Sequence, residues 1–221
     1  MHTQSIENIE WPSQIFVTGI DTDAGKSYAT GWLARLMMEQ GKRVITQKFI
    51  QTGNIDFSED IMLHRKIMGI PPQPADLIHI TAPVIFSYPA SPELSARIDN
   101  REIDLSVISE ATETLSEQYD NVLIEGAGGL MVPITKDFLC IDYISRHKLP
   151  VILVTNSRLG SINHTLLSLA AIAAHHIRLF AIVYNPHFDK DKVIADDTRI
   201  FIRDWCSSHF PDSLFLEMPE L

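Results

Sequence analysis

The run Gln14-Ile15-Phe16-Val17-Thr18, followed by Gly19-Ile20-Asp21-Thr22-Asp23-Ala24-Gly25-Lys26-Ser27, constrains the fold more than any other part of the chain. An apolar segment of strand length empties into a loop punctuated by glycine. From Lys26 onward Ala29, Trp32, Leu33, Leu36 and Met37 repeat at helical steps, and Gly41 is placed to end the helix. A second apolar run, Arg43 to Lys48, follows at once. Strand, loop, helix and strand in that order form the unit from which parallel sheets are built.

The alternation continues through strand candidates at Asn121 to Glu125, Pro150 to Thr155, Phe180 to Tyr184 and Ser213 to Glu217. Most read as continuous apolar runs, as strands covered on both faces should. Amphipathic helices are predicted through Leu105, Ile108, Ala111 and Leu115, and through Ile162, Leu166, Leu169, Ala170 and Ala173. The fold class is therefore α/β, a mostly parallel sheet flanked by helices on both faces. Residues 70 to 92 carry six prolines, which forbid long regular structure and predict a shaped surface excursion. With 221 residues and no linker-like composition, one domain is expected, preceded by an N-terminal extension over residues 1 to 13.

Charge narrows the function classes. Lys and Arg total 18 against 28 Asp and Glu, a formal charge of -10, which repels phosphodiester backbones and argues against nucleic-acid binding. The longest apolar runs, Leu149 to Val154 and Leu166 to Ala174, are far shorter than the ~20 residues of a membrane span, and no secretory leader is evident. A cytoplasmic location is expected. Cys140 and Cys206 read as buried thiols, and the nine histidines, which show no metal-binding spacing, as structural or exposed; Trp32, Met37 and Met68 read as core.

Three strand ends carry the candidate chemistry. The loop from Gly19 to Ser27 can aim backbone N–H groups and a helix N-terminus at a polyphosphate, with Lys26 neutralising charge and the Ser27 hydroxyl ligating Mg²⁺. The spacing departs from the strict phosphate-loop pattern, because Ile20 stands where its first glycine belongs. Lys48 ends the second strand and is followed by Thr52-Gly53, placing an ammonium and a hydroxyl at the sheet edge where such folds bind ligands. Glu125 ends the third, ahead of Gly126-Ala127-Gly128-Gly129, as an acidic metal-holding residue would. Asp60 is a candidate second carboxylate for the metal and equally a candidate helix N-cap. Asn163, in the polar turn Ser157 to His164, is a candidate for ligand binding or for capping.

Taken together, FVTGIDTDAGKS at Phe16 to Ser27, Lys48 with Thr52-Gly53, YPASP at Tyr88 to Pro92, VLIEGAGGLMVP at Val122 to Pro133, PVILVTNSRLGSINHT at Pro150 to Thr165 and Asn185-Pro186 resemble the dethiobiotin synthetases. The resemblance runs from about Phe16 to the last residue and implies a P-loop NTPase-like fold with a deviant phosphate loop. It implies a homodimeric ligase of biotin biosynthesis that uses ATP and Mg²⁺ to join CO₂ to 7,8-diaminononanoate and close a cyclic urea, through an N-carbamate and a carbamic-phosphoric anhydride.

Carried onto this sequence, the resemblance implies Lys48, Lys26 and Thr22 as catalytic residues and Ser27, Asp60 and Glu125 as magnesium ligands. Asp23, Ala24, Gly25, Lys26, Ser27 and Tyr28 would line the nucleotide with Asp60, Glu125, Gly126, Ala127 and Gly128. Asn185 would read adenine, with Pro219, Glu220 and Leu221 against the base. Thr52 would contact substrate, and Gly160, Ser161 and Asn163 would hold its carboxylate across the dimer interface. Ile20, Ala24 and Ser27 depart from the Thr, Val and Thr usual in this family, and Ser27 preserves the metal-binding hydroxyl.

A regulatory ATPase of the partitioning or cell-division type shares this fold class and its deviant loops. Such proteins carry a second lysine early in the phosphate loop and a basic or amphipathic surface. Ile20 to Ala24 contains no lysine and the net charge is -10, which ranks that reading second.

Overall fold

A computed structural model describes residues 9–220. Residues 1–8, most of the expected N-terminal extension, and Leu221, expected against the base, lie outside the described residues. Six strands form one parallel sheet: β1 (Gln14–Gly19), β2 (Val44–Lys48), β3 (Asn121–Gly129), β4 (Val151–Asn156), β5 (Leu179–Asn185) and β6 (Leu214–Glu217), in the order β6-β5-β4-β1-β3-β2. Each falls on one of the apolar runs read from the sequence.

Alternation of side chains along each strand explains why those runs are continuous. Phe16, Val122, Ile124, Val151 and Leu153 point into one core, while Ile15, Val17, Leu123, Ile152 and Val154 point into the other. The second core is covered by α1 (Lys26–Glu39) through Ala29, Leu33 and Met37, and by α2 (Glu59–Met68) through Met68. The first is covered by α5 (Leu105–Gln118), α6 (Cys140–Arg146), α7 (Ser161–Ala174) and α8 (Lys192–His209). The short helix α3 (Pro74–Leu77) lies within the excursion, and α4 (Pro92–Ile98) begins at its last residue. Both cysteines are free and buried, as expected. Among the described residues, no helix is long and apolar enough to cross a membrane.

The proline-rich excursion has its own anchorage. Gln51–Thr52 pairs in parallel with Ile85–Phe86, and the Lys48 and Gln51 amides donate to the carbonyls of Thr81 and Val84. Beneath it, Arg65 of α2 makes a two-pronged ion pair with Asp76 of α3, at 2.9 and 2.7 Å, with both side chains 2% exposed. Burial pushes the Asp76 carboxyl up, but Arg65, the Gln73 amide and the Thr81 hydroxyl outweigh it and hold the group below its ordinary range.

A group whose pKa is depressed by folding contributes stability above its unfolded value and loses it as pH falls through the folded one. Asp76→Asn is therefore expected to cost about 3 kcal/mol at neutral pH by leaving Arg65 buried without its counter-charge. The gap from the unsubstituted protein should narrow below roughly pH 4. Denaturant melts of both proteins across that range are the measurement, and a gap independent of pH would count against the ion pair.

Candidate functional site

The sheet order places β1 between β3 and β4, so the loop leaving β1 opens at the point where connections diverge to either side, the usual ligand crevice of such sheets. Gly25 ends this loop at φ +91°, and a Cβ built there would lie 2.1 Å from Asn185 Nδ2. The Asn185 amide donates to the Ala24 carbonyl at 3.1 Å, and its oxygen accepts from the His187 N–H at 3.1 Å. Asn185 thus clamps the phosphate loop to the end of β5, and only glycine fits beneath it. Lys26 opens α1 buried, with Nζ donating to the carbonyls of Asp21 and Thr22 at 3.0 and 2.9 Å. Burial and the like charge of Lys48 bring its pKa down from 10.5 to about 8.

Strand register brings the other charged groups together. Lys48 and Glu125 are direct partners in the β2–β3 pairing, and Lys48 Nζ lies 2.7 Å from Glu125 Oε1. It also lies 2.5 Å from Asp60 Oδ2. The Ser27 hydroxyl is 2.9 Å from both Asp60 Oδ1 and Glu125 Oε1, so one hydroxyl, two carboxylates and an ammonium share a single cluster. Burial opposes the charge on Lys48, but Glu125 and Asp60 outweigh it and raise its pKa. Burial likewise opposes ionisation of Glu125, yet Lys48 and His64 hold its carboxyl far below the usual range.

The alternatives left open for Asp60 resolve in favour of the cluster. Ser58 is the N-cap of α2, accepting from the Ile61 amide, while Asp60 sits in the first turn facing Ser27 and Lys48. Its neighbours Asp56 and Glu59 are exposed.

A cavity of about 610 Å³ opens beside the cluster. Thr22, Asp23, Gly25, Lys26, Ser27, Tyr28, Asp60, Asn185, Pro219 and Glu220 line it, together with Leu63, His187, Phe188 and Met218, which the sequence reading did not single out. Ala24 lies buried behind the loop. Gly126, Ala127 and Gly128 form a bulge in β3: Val17 aligns with Glu125 but Gly19 with Gly129, so three residues of β3 face one of β1. A Cβ on Gly126 would lie 2.7 Å from the Phe16 ring. A Cβ on Gly128 would lie 3.8 Å from the Thr22 hydroxyl, which puts the bulge beside the phosphate loop.

Thr52 is half-buried in its short strand pair and does not line the cavity. Gly160 caps α7 with φ +93°, Ser161 is buried with an unpartnered hydroxyl, and Asn163 is exposed and makes no capping bond, so these three also stand apart from the cavity. Arg158, just before them, pairs with Asp21 of the phosphate loop and lies over the Phe188 ring at 5.6 Å.

One residue of the cluster was missed. His64, expected with the other histidines to be structural or exposed, is fully buried with Nε2 2.6 Å from Glu125 Oε2. Its spacing of four from Asp60 was the available signal, since that spacing puts both on one helix face.

A family model described as an AAA domain matches residues 13–203. The chain is 48% identical over 200 residues to the ATP-dependent dethiobiotin synthetase BioD 2 of Pasteurella multocida (strain Pm70), a match covering 90% of this chain and 94% of that protein. It is 52% identical over 183 residues to the ATP-dependent dethiobiotin synthetase BioD of Chlorobaculum tepidum, across 83% of this chain and 77% of that one. Among solved structures, the signal recognition particle receptor FtsY of Elizabethkingia anophelis in complex with GDP superposes with a TM-score of 0.56 at 17% identity, over 96% of this chain and 58% of that chain. The pNOB8 ParA structure bound to nonspecific DNA gives 0.55 at 14% identity, over 96% and 86%. Likeness at that level establishes the shared P-loop NTPase fold and nothing about activity. The two relatives at about half identity, aligned across most of their own length, settle the narrower question: the chain belongs to the dethiobiotin synthetase family.

Proposed function

We propose that this protein forms dethiobiotin from 7,8-diaminononanoate, CO₂ and ATP, in biotin biosynthesis, with the reaction centred on Lys48. The observation that carries the reading is the placement of Lys48 against Glu125 and Asp60, which both meet the Ser27 hydroxyl; Lys48 and Glu125 sit behind the cavity, and Ser27 and Asp60 line it with the phosphate loop. Such a site provides fixed positive charge and oxygen donors for phosphoryl transfer.

In the reaction proposed, one amine of the diamine adds to CO₂ and loses a proton, giving a carbamate. A carbamate oxygen attacks the γ-phosphorus of ATP, the bond to ADP breaks, and a carbamic-phosphoric anhydride remains. The second amine then attacks the carbonyl carbon, phosphate leaves, and the lost N–H proton passes to solvent. Lys26 holds the phosphates and Lys48 stabilises the oxyanion that develops on the carbamate, with Thr22 beside it. Gly25 and the N–H groups at the start of α1 orient the triphosphate.

Ser27, Asp60 and Glu125 are hard oxygen donors, with the Ser27 hydroxyl one hydrogen bond from each carboxylate, which suits Mg²⁺. Among the described residues there is no group of three or more His, Cys, Asp or Glu side chains able to hold a metal. When bound, the ion would neutralise charge on the β- and γ-phosphates.

The reading extends to Asn185, Pro219, Glu220 and Leu221 at the base, to Thr52 at the substrate, and to a homodimer in which Gly160, Ser161 and Asn163 hold the substrate carboxylate across the interface. The unpartnered buried hydroxyl of Ser161, beside an α7 N-terminus without a side-chain cap, supports an anion there.

The deciding assay is phosphate release from MgATP with bicarbonate, with and without the diamine, with the cyclic urea identified by mass. Release that depends on the diamine and yields dethiobiotin is expected. Diamine-independent hydrolysis would leave the nucleotide site standing and remove the substrate.

A further inference from the structure

His64 sits at the centre of a buried hydrogen-bond chain that the reaction above does not use. Its Nε2 lies 2.6 Å from Glu125 Oε2 and its Nδ1 lies 3.0 Å from Thr46 Oγ1. The same Thr46 hydroxyl is 2.8 Å from an Arg65 guanidinium nitrogen. A guanidinium can only donate, so the Thr46 oxygen accepts there, and its own proton is free to be donated to His64 Nδ1. A ring that accepts at Nδ1 carries its N–H at Nε2, aimed at Glu125. With that tautomer, donation runs one way, from Arg65 to Thr46 to His64 to Glu125.

The chain is anchored in the excursion. Arg65 is held by Asp76, whose carboxylate also accepts from the Gln73 amide and the Thr81 hydroxyl, each at 2.7 Å. Thr81 in turn accepts, through its carbonyl, from the Lys48 amide at 2.7 Å. At the other end, the Glu125 oxygens divide their duties: Oε2 meets His64, and Oε1 meets Lys48 at 2.7 Å and Ser27 at 2.9 Å.

We propose that His64 is a positioning residue for Glu125: through Thr46, Arg65 and Asp76 it uses the proline-rich excursion to pin Oε2, so that Oε1 stays turned toward Ser27 and the metal. The inference rests on the reading of Glu125 as a magnesium ligand. Partners that orient metal ligands carry a substantial share of metal affinity without touching the ion.

The test is calorimetric titration of Mg²⁺ into protein saturated with adenylyl imidodiphosphate, alongside the affinity for that nucleotide without metal. His64→Leu, which keeps the volume and removes the donor, should weaken Mg²⁺ about 10- to 100-fold. Metal-free nucleotide affinity should stay within about twofold, since His64 does not line the cavity. His64→Gln, whose amide can donate from nearly the position of Nε2, should recover most of the loss. Should His64→Leu not fold, Thr46→Val breaks the chain one link earlier and should weaken Mg²⁺ in the same direction.

Wild-type Mg²⁺ affinity in His64→Leu or Thr46→Val, with affinity lost in Glu125→Gln, would make His64 a core filler and overturn the proposal. Glutamine performing no better than leucine would also overturn it. Unchanged Mg²⁺ affinity in Glu125→Gln would instead remove the metal reading itself, and this inference with it.

Discussion

Lys48→Met is expected to lower turnover by about 10²- to 10³-fold, the usual cost of removing one fixed donor from a developing oxyanion. Nucleotide affinity should change little, because Lys26 and the loop line the cavity while Lys48 faces Glu125 and Asp60 and does not line it. The substitution has a second effect that separates charge from shape. Lys48 is 5% exposed and Glu125 is fully buried, so methionine leaves a buried carboxylate without its main counter-charge. Without divalent cation, this should cost about 3–5 kcal/mol, which for a domain of this size lowers the melting temperature by roughly 10 °C. Millimolar Mg²⁺ should restore part of the stability by binding the freed carboxylates, without restoring turnover. Turnover within tenfold of the unsubstituted enzyme would exclude Lys48 from the chemistry. A melting temperature insensitive to Mg²⁺ would exclude the carboxylates from the metal site.

The second large effect is expected from Gly25→Ala, a change of one methyl group. A Cβ there lies 2.1 Å from Asn185 Nδ2 at a backbone φ of +91°. The conformation alone disfavours a Cβ by about 1–2 kcal/mol. Displacing Asn185 from Ala24 breaks a buried hydrogen bond worth about 1–3 kcal/mol where its acceptor is left unpaired. Relieved by a shift of the loop, that sum predicts roughly 10²-fold weaker nucleotide binding or worse. Gly25→Ala with Asn185→Ala removes the collision but not the backbone conformation, so the pair should recover part of the loss relative to the sum of the single changes. Fluorescence titration with a labelled nucleotide gives all four affinities. Strict additivity would show that the two side chains do not meet.

The sheet was readable because most of its strands are covered on both faces and so carry nearly continuous apolar runs. The phosphate loop was readable because glycine, lysine and serine are adjacent in sequence and the chemistry is local. What escaped is non-local. The buried face of α2 includes Ile61, His64, Arg65 and Met68, so half of it is ionisable, and its partners Glu125, Thr46 and Asp76 come from three other segments. No helical pattern of apolar residues announces such a face.

The long helix α8 was missed for a related reason. It buries Ala195, Thr198, Ile202 and Cys206, a helical series of mostly small side chains, while Val193, Ile200 and Phe201 are exposed and blur the stripe. The pairing of Lys48 with Glu125 could be guessed as chemistry but not as contact, because 77 residues separate them.

That separation has a consequence for how the protein comes into being. β1 and β2 are joined by one helix, yet they never pair, because β3 lies between them. Until residue 129 has been made, the first two strands have no neighbour on which to complete their backbone hydrogen bonds, and β1 waits longer still for β4 on its other side. The phosphate loop is thus translated early but gains its frame late. Through that interval the nascent chain exposes two unpaired apolar strand edges, the kind of intermediate that aggregates and that chaperones bind.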